Sequence, residues 1–472
     1  MAKQYETVIG LEVHVELATK TKIFCGCSTQ FGGEPNTHCC PVCIGLPGVL
    51  PKLNKKVVEY AVMAGLATNC EISNVSKMDR KNYCYPDLPK AYQISQYDKP
   101  LCKNGYVELS NGRKVRINRI HIEEDAGKLI HQHGDTYVDY NRGGVPLIEI
   151  VTEPDIRSVE EAREYVEKLQ QVIRYIGVSD CKMQEGSMRC DVNISVRPVG
   201  TQEFGTRTEI KNMNSITFIT RAIEYEYERQ TDLIESGGKV TQETLRYDDA
   251  TNTTSPMRGK EDAHDYRYFR EPDLVTICVS DEEIDEIRQK LPELPDEKFK
   301  KYVESYSIPE TDAATLTKYR AISEYFDEAV KDIKAPKTVS NFIIGQMFRR
   351  LETESDKETF AVKTSPQQLN ELVKLLESGK IRNNLAKSAL EKMLDTGKPV
   401  TEFISESDMG SLDESVLDKL CADAVEANPN AVNDYKNGKE KALKAILGHV
   451  MKNSRGKADA SAVEAKLRNM LK

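Results

Sequence analysis

The sequence lacks any apolar run near the roughly 20 residues that a membrane-spanning helix requires. It also lacks a charged leader followed by an apolar stretch in its first residues, MAKQYETVIG, so no secretory signal is expected. Both absences favour a cytoplasmic protein. A chain of 472 residues is too long for one hydrophobic core, and we therefore expect about two to four domains.

Several common nucleotide-binding signatures are missing as well. The sequence contains no G-x-x-x-x-G-K-[ST] phosphate loop and no G-x-G-x-x-G that opens a helix. Membership of the P-loop, kinase-type and Rossmann classes is therefore disfavoured. No G-x-S-x-G is present either. An enzyme of this sequence that uses a nucleotide would need a less common binding site.

The net charge of −9 gives no general support for nucleic-acid binding, but the charge is unevenly distributed. Residues 431–472 carry ten Lys and Arg residues against four acids, an excess of six positive charges. A basic segment on an acidic protein fits a contact with a phosphate backbone. A solvated helical face would explain the same charges equally well.

Residues 1–293 are predicted to form a mainly β domain. Residues 8–17 (VIGLEVHVEL) and 191–199 (DVNISVRPV) alternate between apolar and polar side chains, as half-buried strands do. Helices are inserted between such strands. One is predicted from about residue 216 to residue 236, where a pair of glycines follows.

A second inserted helix is predicted by a capping signal. Ser158 and Glu161 have the spacing of a capping box, in which each side chain accepts a hydrogen bond from the other residue's backbone. The apolar residues that follow keep helical spacing, and Gly177 is expected to end the helix.

The pattern changes near residues 291–299 (LPELPDEKF), where two prolines interrupt it. Helical periodicity dominates from there, as in 340–351 (SNFIIGQMFRRL) and 369–381 (LNELVKLLESGKI). We predict an all-α domain at 294–405 and a small basic helical domain at 406–472. The fold class is therefore α+β.

Five of the twelve cysteines lie within one short segment, FCGCSTQFGGEPNTHCCPVCIGLPG (24–48). Two close pairs separated by a loop can supply four thiolates to a tetrahedral Zn²⁺. The four candidate ligands are Cys25, Cys27, Cys40 and Cys43. Cys39 and His38 are rival ligands, and ordinary buried or free cysteines are the alternative. A site with four protein ligands would be structural, because no position stays open for chemistry.

Strand 8–17 places Glu12, His14 and Glu16 on one face and apolar residues on the other. A solvent-facing polar surface is the simplest explanation of this pattern. Similar polar clusters recur, however, and carboxylates that converge would repel one another unless a cation such as Mg²⁺ or Mn²⁺ lay among them. The further candidates are His121, Glu123, Glu124, Asp125, Glu149, Glu185, Arg189, Asp191, Glu209, Lys211 and Asn212.

Together, the long motifs resemble the B subunit of the glutamyl/aspartyl-tRNA amidotransferase family, and the likeness covers nearly the whole chain. The motifs are IGLEVHVEL, CGC…CPVC-x-GLPG, DRKNYCYPDLPKAYQISQ (79–96), HIEEDAGK (121–128), DYNRGGVPLIEIVTEPD (139–155), EGSMRCDVNIS (185–195) and DYRYFREPDL (265–274). The resemblance implies a β-rich catalytic cradle domain, a helical domain and a tail domain similar to the YqeY family.

The resemblance also implies a reaction. ATP phosphorylates the side-chain carboxylate of Glu or Asp esterified to tRNA, and ammonia then displaces the phosphate. An amidase-type A subunit releases that ammonia from glutamine, and a small C subunit braces the A and B subunits. Misacylated tRNA, ATP and Mg²⁺ or Mn²⁺ are therefore expected partners and cofactors, together with structural Zn²⁺.

The resemblance implies roles for individual residues. The implied ligands of the catalytic metal are Glu12, His14, Glu124 and Glu149. Lining of a pocket for the nucleotide or for the acceptor end of the tRNA is implied for Lys81, Tyr83 and Tyr85. Simple packing is the alternative role. Arg189, Glu209 and Lys211 are expected either in the site or in structural ion pairs. Some family members lack the cysteine pairs, which supports a structural zinc rather than a catalytic one.

Two other functions fit parts of the sequence. The first is an ATP-dependent ligase that acts on a free amino acid or peptide, and ATP hydrolysis stimulated by misacylated tRNA would separate it from the amidotransferase. The second is a non-enzymatic zinc-containing RNA-binding module, which metal-dependent ATP turnover would exclude. Either Glu-tRNA or Asp-tRNA, or both, are expected as substrates.

Overall fold

The computed structural model describes residues 4–257, 265–405, 409, 414–454, 458 and 460–471. Two compact units divide the chain, Met1–Leu294 and Pro295–Lys472. Among the described residues the first unit is rich in strands and the second is helical, which confirms the predicted α+β class. None of the described helices is both long enough and apolar enough to span a bilayer.

The described strands all belong to the first unit. They are β1 (Tyr5–Glu16), β2 (Glu71–Ile72), β3 (Val75–Ser76), β4 (Asp79–Asn82), β5 (Tyr92–Ser95), β6 (Cys102–Glu108), β7 (Lys114–Glu124), β8 (Lys128–Gln132), β9 (Asp135–Asp139), β10 (Pro146–Thr152), β11 (Met188–Pro198), β12 (Thr208–Met213), β13 (Thr244–Asp248), β14 (Thr253–Pro256), β15 (Phe269–Arg270) and β16 (Ile277–Cys278). Within the described residues, nine strands form one large sheet in the order β14-β13-β12-β11-β1-β10-β7-β6-β2. Its only parallel pair there is β12 with β13.

The helices occur in both units. Those of the first unit are α1 (Lys55–Ala67), α2 (Val159–Tyr175), α3 (Ile216–Glu235) and α4 (Asp281–Lys290). Those of the second unit are α5 (Pro295–Glu304), α6 (Glu310–Thr317), α7 (Arg320–Ala329), α8 (Pro336–Phe342), α9 (Glu354–Thr359), α10 (Pro366–Glu377), α11 (Asn383–Thr396), α12 (Glu414–Ala427), α13 (Pro429–Lys436), α14 (Leu443–Asn453) and α15 (Ala460–Met470).

Strand β1 lies near the middle of the large sheet and shows why one face is apolar. Leu11, Val13 and Val15 are almost completely buried, in one hydrophobic core with apolar residues of α1, α2 and α3. Alternation along the strand turns the residues between them to the opposite face. Burying each such aliphatic side chain contributes about 1.5–3 kcal/mol. The helices therefore cover one face of the sheet, and the other face carries its polar side chains.

Helix α2 begins as predicted, but its capping box is only half formed. The Ser158 hydroxyl accepts a hydrogen bond from the Glu161 backbone N–H at 3.2 Å. The Glu161 carboxylate accepts instead from the backbone N–H of Arg157, at 2.9 Å. The predicted reciprocal bond to Ser158 is therefore wrong. Gly177 follows the helix with φ +69°, a left-handed conformation that suits glycine.

The second unit contains two hydrophobic cores. One is built from residues between Tyr302 and Ile404, and the other from residues between Cys421 and Leu471. The predicted helical segment 340–351 changes its winding, because a π-helical turn, Ile343–Met347, interrupts the α-helical pattern. The boundary predicted at residues 405/406 borders residues 406–408, which lie outside the described residues.

Candidate active site on the polar face of the large sheet

The polar face of the large sheet brings together ionisable side chains from three neighbouring strands. His14 of β1 lies opposite Glu149 of β10, and Glu149 lies opposite His121 of β7. Residues paired across strands share a face, and so do alternate residues of one strand. Glu123, two residues after His121, therefore joins them. We call His14, Glu123 and Glu149 the acidic–histidine group.

Short distances connect the members of this group with one another and with the neighbouring His121. His14 Nε2 lies 3.5 Å from Glu123 Oε1 and 3.6 Å from Glu149 Oε2. His121 Nε2 lies 3.2 Å from Glu149 Oε2 and 3.8 Å from Glu123 Oε2. Two imidazoles and two carboxylates therefore share one small volume, with His121, Glu123 and Glu149 all largely buried.

The electrostatics of the group follow from this crowding. Burial disfavours the charged form of His14, but contact with Glu149 and the charge of Glu123 outweigh it and raise the pKa of His14. The pKa of His121 rises to about 9, because the charge of Glu149 and contact with Glu123 overcome burial. Burial alone would raise the pKa of Glu149, yet the two histidines hold that pKa well below its usual range.

A divalent cation fits the acidic–histidine group. One ligand atom from each of its three residues can be chosen so that all lie within 4.8 Å of one another. Two carboxylate oxygens and one imidazole nitrogen form a donor set that suits Mg²⁺ or Mn²⁺. His121 contacts the carboxylates through Nε2, and its buried Nδ1 has no hydrogen-bond partner among the described residues. The group therefore has the donors that a catalytic cation needs.

Four cysteines form a second cluster. Ligand atoms of Cys25, Cys27, Cys40 and Cys43 lie within 4.8 Å of one another. A hydrogen bond from Cys25 is the main reason why the pKa of Cys43 is lowered to about 4. The fully buried Lys22 adds its charge to the same effect. Four thiol groups with one already favoured as thiolate fit a tetrahedral Zn²⁺.

The cysteine segment is anchored to the chain around residues 138–141. The Asn36 side chain donates to the Val138 carbonyl, and its backbone N–H donates to Asp139, both at 3.0 Å. The His38 backbone N–H donates to the side-chain oxygen of Asn141 at 2.8 Å. These bonds fix the loop between the two cysteine pairs.

The sequence as a whole matches known protein families. A family model of the GatB/GatE catalytic domain matches residues 7–285, more than half of the chain, and a model of the GatB domain matches residues 324–471. The chain belongs to the GatB/GatE family. The first match contains both the acidic–histidine group and the cysteine cluster.

Relatives of this GatB/GatE family member are similar over their full length. The B subunit of the aspartyl/glutamyl-tRNA(Asn/Gln) amidotransferase of Caldicellulosiruptor saccharolyticus is 56% identical over 476 residues, covering 99% of each chain. The protein of the same name from Agathobacter rectalis is 54% identical, over 99% of this chain and 100% of its own. That from Thermodesulfovibrio yellowstonii is 52% identical with the same coverage.

Glu124, predicted as a metal ligand, lies apart from the acidic–histidine group of this GatB/GatE chain. Its carboxylate accepts two hydrogen bonds from Lys90 Nζ, at 2.5 and 2.7 Å, and one from the Ile94 backbone N–H at 2.9 Å. The reason is strand alternation, because neighbouring residues of β7 point to opposite faces. The structure therefore places Glu123, and not Glu124, beside His14.

Glu12 lies two residues from His14 on the polar face but outside the compact acidic–histidine group. It accepts a hydrogen bond from Asn193 at 2.9 Å, and burial is the main reason why its pKa is raised. A cavity of about 280 Å³ opens beside it. The polar and aromatic residues that line this cavity include Glu12, Asn193, Ser195, Phe204 and Arg207.

The predicted residues Arg189, Glu209 and Lys211 all form ion pairs near this face. Arg189 donates to Asp125 at 2.8 Å, and the charge of Asp125 raises the pKa of Arg189. Lys211 Nζ lies 2.9 Å from Glu209. Burial opposes the charge on Lys211, but Asp191 and Glu209 raise its pKa. These contacts would keep the charges in place whether or not they touch a substrate.

Lys81 and Tyr83 lie close to each other, and Tyr85 is exposed. Lys81 Nζ is 5.9 Å from the centroid of the Tyr83 ring. Burial raises the pKa of Tyr83, and the charges of Asp87 and Glu123 add to this rise. The side chain of Tyr85 is 54% exposed.

His121 and Glu123 were candidates from the sequence, but neither was assigned as a metal ligand. A signal for them exists in the segment Ile120-His121-Ile122-Glu123, where apolar and polar residues alternate. In a strand, this pattern puts the histidine and Glu123 on one face and Glu124 on the other. The pairing of β7 with β10, which brings them to Glu149, has no local signal.

Proposed function

We propose that this chain is the B subunit of a tRNA-dependent amidotransferase. It uses ATP to activate the side-chain carboxylate of Glu-tRNA(Gln) or Asp-tRNA(Asn), which becomes the amide. Membership of the GatB/GatE family and the names of the relatives support the reaction class. The acidic–histidine group is the observation that carries the proposal, because its side chains could hold a divalent cation on the polar face of the large sheet.

The proposed chemistry answers a simple difficulty, which is that a carboxylate is a poor acyl donor. A side-chain carboxylate oxygen attacks the γ-phosphorus of ATP, the bond to the β-phosphate oxygen breaks, and ADP leaves. Ammonia then attacks the acyl carbon, inorganic phosphate leaves, and the nitrogen loses a proton to solvent. When bound, Mg²⁺ or Mn²⁺ would neutralise phosphate oxygens and align the first attack.

The residues proposed to hold this cation are His14, Glu123 and Glu149. Glu123 is preferred to Glu124 as a ligand, since Glu124 is held by Lys90 on the other side of β7. Glu12 is proposed at the edge of the same site. The cavity beside Glu12 is the proposed place for ATP, because it opens on the same polar sheet face and its lining includes a cation, Arg207, and an aromatic ring, Phe204.

We propose that zinc bound by the four cysteines is structural. The cysteine loop is anchored through Asn36 and Asn141, and all four thiols would be used as ligands. A site with four protein ligands has no open position for a substrate. Zinc would therefore stabilise the loop without taking part in phosphoryl transfer.

Ammonia is proposed to come from a partner, because this sequence shows no recognisable glutaminase site. An amidase-type A subunit would release it from glutamine, and a small C subunit would brace the complex. Residues 406–472 are proposed as a YqeY-like domain that contacts tRNA, since they contain the basic segment 431–472. Because its substrate is aminoacyl-tRNA, the complex is proposed to be cytoplasmic.

Amidation assays with both misacylated tRNAs test this function. The complex should convert Glu-tRNA(Gln), Asp-tRNA(Asn) or both to the amide form with ATP and glutamine, and free ammonia should replace glutamine. ATP hydrolysis should rise with misacylated tRNA and not with free glutamate. The purified single chain should not hydrolyse glutamine. ATP-dependent ligation of free glutamate, or the absence of any metal-dependent ATP turnover, would contradict the proposal.

A further inference from the structure

Four tyrosines form a connected set beside the acidic–histidine group. The rings of Tyr97 and Tyr268 stack face to face, 4.3 Å apart with a 10° interplanar angle. Tyr266 meets Tyr268 edge-on at 6.1 Å and Tyr83 edge-on at 5.8 Å. We call these four residues the tyrosine stack. The side chain of Tyr97 is 62% exposed, so the outer end of the stack is open to solvent.

The small sheet of β15, β4 and β5 holds the tyrosine stack in place. Phe269 of β15 pairs with Arg80 of β4, and the Arg80 guanidinium donates two hydrogen bonds to the buried Glu271, at 2.6 and 2.9 Å. The Asn82 backbone N–H donates to the Tyr266 carbonyl at 3.0 Å. Segments that lie far apart in the sequence are therefore fixed together, and the tyrosine rings next to them are held by paired strands.

Two cations, Lys81 and Arg119, act on the stack: Lys81 lies beside one of its rings, and the charge of Arg119 lowers the pKa of Tyr268 against the effect of burial. Lys81 Nζ lies 4.9 Å from the centroid of the Tyr266 ring. In the described residues neither Lys81 nor Arg119 forms an ion pair, whereas the nearby Lys90 is held by Glu124. Cations that lie beside aromatic faces without a carboxylate partner are the features with which proteins hold single-stranded nucleic acid.

The stack lies close to the proposed cation ligands, because the side-chain oxygen of Gln96, which precedes Tyr97, accepts a hydrogen bond at 2.9 Å from the backbone N–H of Ile122, the residue before Glu123. Burial raises the pKa of Tyr268, and the negative charges of Glu123 and Glu149 add to the rise while Arg119 opposes it. Tyr83 likewise lies within the influence of Glu123. A ligand stacked on these rings would therefore have its end close to the acidic–histidine group.

We propose, on the basis of the proposed function, that the tyrosine stack binds the unpaired 3′-terminal nucleotides of the aminoacyl-tRNA. Lys81 and Arg119 contact their phosphates, and the esterified amino acid reaches the acidic–histidine group. Several ring faces with two cations suit a short run of nucleotides better than the single base of ATP. The cavity beside Glu12 takes ATP, so the two substrates approach the cation ligands separately.

Steady-state amidation by the assembled complex tests this proposal. Tyr97→Ala and Tyr268→Ala should each raise the KM for misacylated tRNA by about tenfold or more, the usual effect of losing one stacked base. The KM for ATP, and kcat at saturating tRNA, should stay within about twofold of wild type. Tyr97→Phe and Tyr268→Phe keep the ring and should behave like wild type. Tyr137→Ala, an exposed tyrosine of β9, is the matched control.

A fluorescence measurement tests stacking directly. The probe is tRNA with 2-aminopurine in place of its terminal adenine, whose emission falls when the base stacks. This chain contains no tryptophan, so it adds little background of its own. Binding to the wild-type complex should quench the probe, and Tyr97→Ala should reduce the quenching while the melting temperature stays unchanged.

The outcomes separate the two proposals. A wild-type complex that amidates neither misacylated tRNA would defeat the proposed function itself. Wild-type amidation with an unchanged KM for tRNA in both alanine variants would overturn the tyrosine-stack proposal alone. A higher KM for ATP with no change for tRNA would assign the stack to the nucleotide and would also overturn it. Equal defects in the alanine and phenylalanine variants would exclude ring stacking.

Discussion

His14 of β1 lies directly opposite Glu149 of β10, with His14 Nε2 3.6 Å from Glu149 Oε2. The pair lies near the middle of a large sheet, so its geometry is fixed by strand pairing on both sides rather than by a mobile loop. The ligands of a cation bound there would therefore be held rigidly. Rigid placement of charge is what makes electrostatic catalysis effective.

Replacement of His14 by alanine should therefore remove activity without unfolding the chain. We expect amidation and ATP turnover to fall by at least about a hundredfold, because metal ligands act on the charge of the transferring phosphate. The melting temperature should change little, since the side chain lies on the polar face. His131→Ala, on the exposed β8–β9 hairpin, is the control. Turnover close to wild type in His14→Ala would end this assignment.

The adjacent carboxylates Glu123 and Glu124 make a matched pair of variants. Glu123→Gln should raise the Mg²⁺ concentration needed for half-maximal ATP hydrolysis by about tenfold or more. Glu124→Gln should leave that requirement unchanged and should lower stability by on the order of 3 kcal/mol, because Lys90 would remain buried without its partner. The checks are a Mg²⁺ titration and a denaturant titration of each variant. If Glu124→Gln raised the Mg²⁺ requirement and Glu123→Gln did not, Glu124 would be the ligand.

Cys40 and Cys39 make a second matched pair. Cys40→Ser should lower the zinc content and the melting temperature, and activity should fall in proportion to the folded fraction, because the metal stabilises only the fold. Cys39→Ser should keep its zinc, since Cys39 lies outside the four-cysteine group. Zinc content is measured by atomic spectroscopy and folding by thermal melting. A folded, zinc-free and inactive variant would indicate catalytic zinc instead.

Removal of residues 406–472 should weaken tRNA binding and leave the chemistry intact. The excess of six positive charges in residues 431–472 predicts phosphate contacts, which add affinity and make binding depend on salt. The KM for misacylated tRNA should rise strongly and the salt dependence should become shallower, while turnover at saturating tRNA survives. Binding and amidation across a salt series measure both effects. An unchanged affinity and salt slope would leave the basic segment as a solvated surface.

The sequence predicted the architecture and much of the polar face, because both depend on local patterns. Alternation along β1 was enough to separate Leu11, Val13 and Val15 from the polar residues between them. The same rule, applied to β7, places Glu123 and Glu124 on opposite faces. Long motifs, rather than periodicity, indicated the family.

Other features depend on contacts between distant segments and had no local signal. The tyrosine stack joins residues from three segments, so no stretch of sequence predicts it. The capping box of α2 was only half formed, because the Glu161 carboxylate bonds to Arg157 instead. The ion pair of Glu124 with Lys90 likewise joins residues that are distant in the chain.

Alternate side chains of strand β1 pack in the hydrophobic core, and the side chains between them lie on the face of the acidic–histidine group. A deletion of a single residue before Leu11 would exchange the two sets, so that carboxylates faced the helices and aliphatic groups faced the substrate. Both stability and catalysis would be lost at once. During evolution this strand can therefore tolerate substitutions far more readily than changes of length, and homologous chains should align through it without gaps.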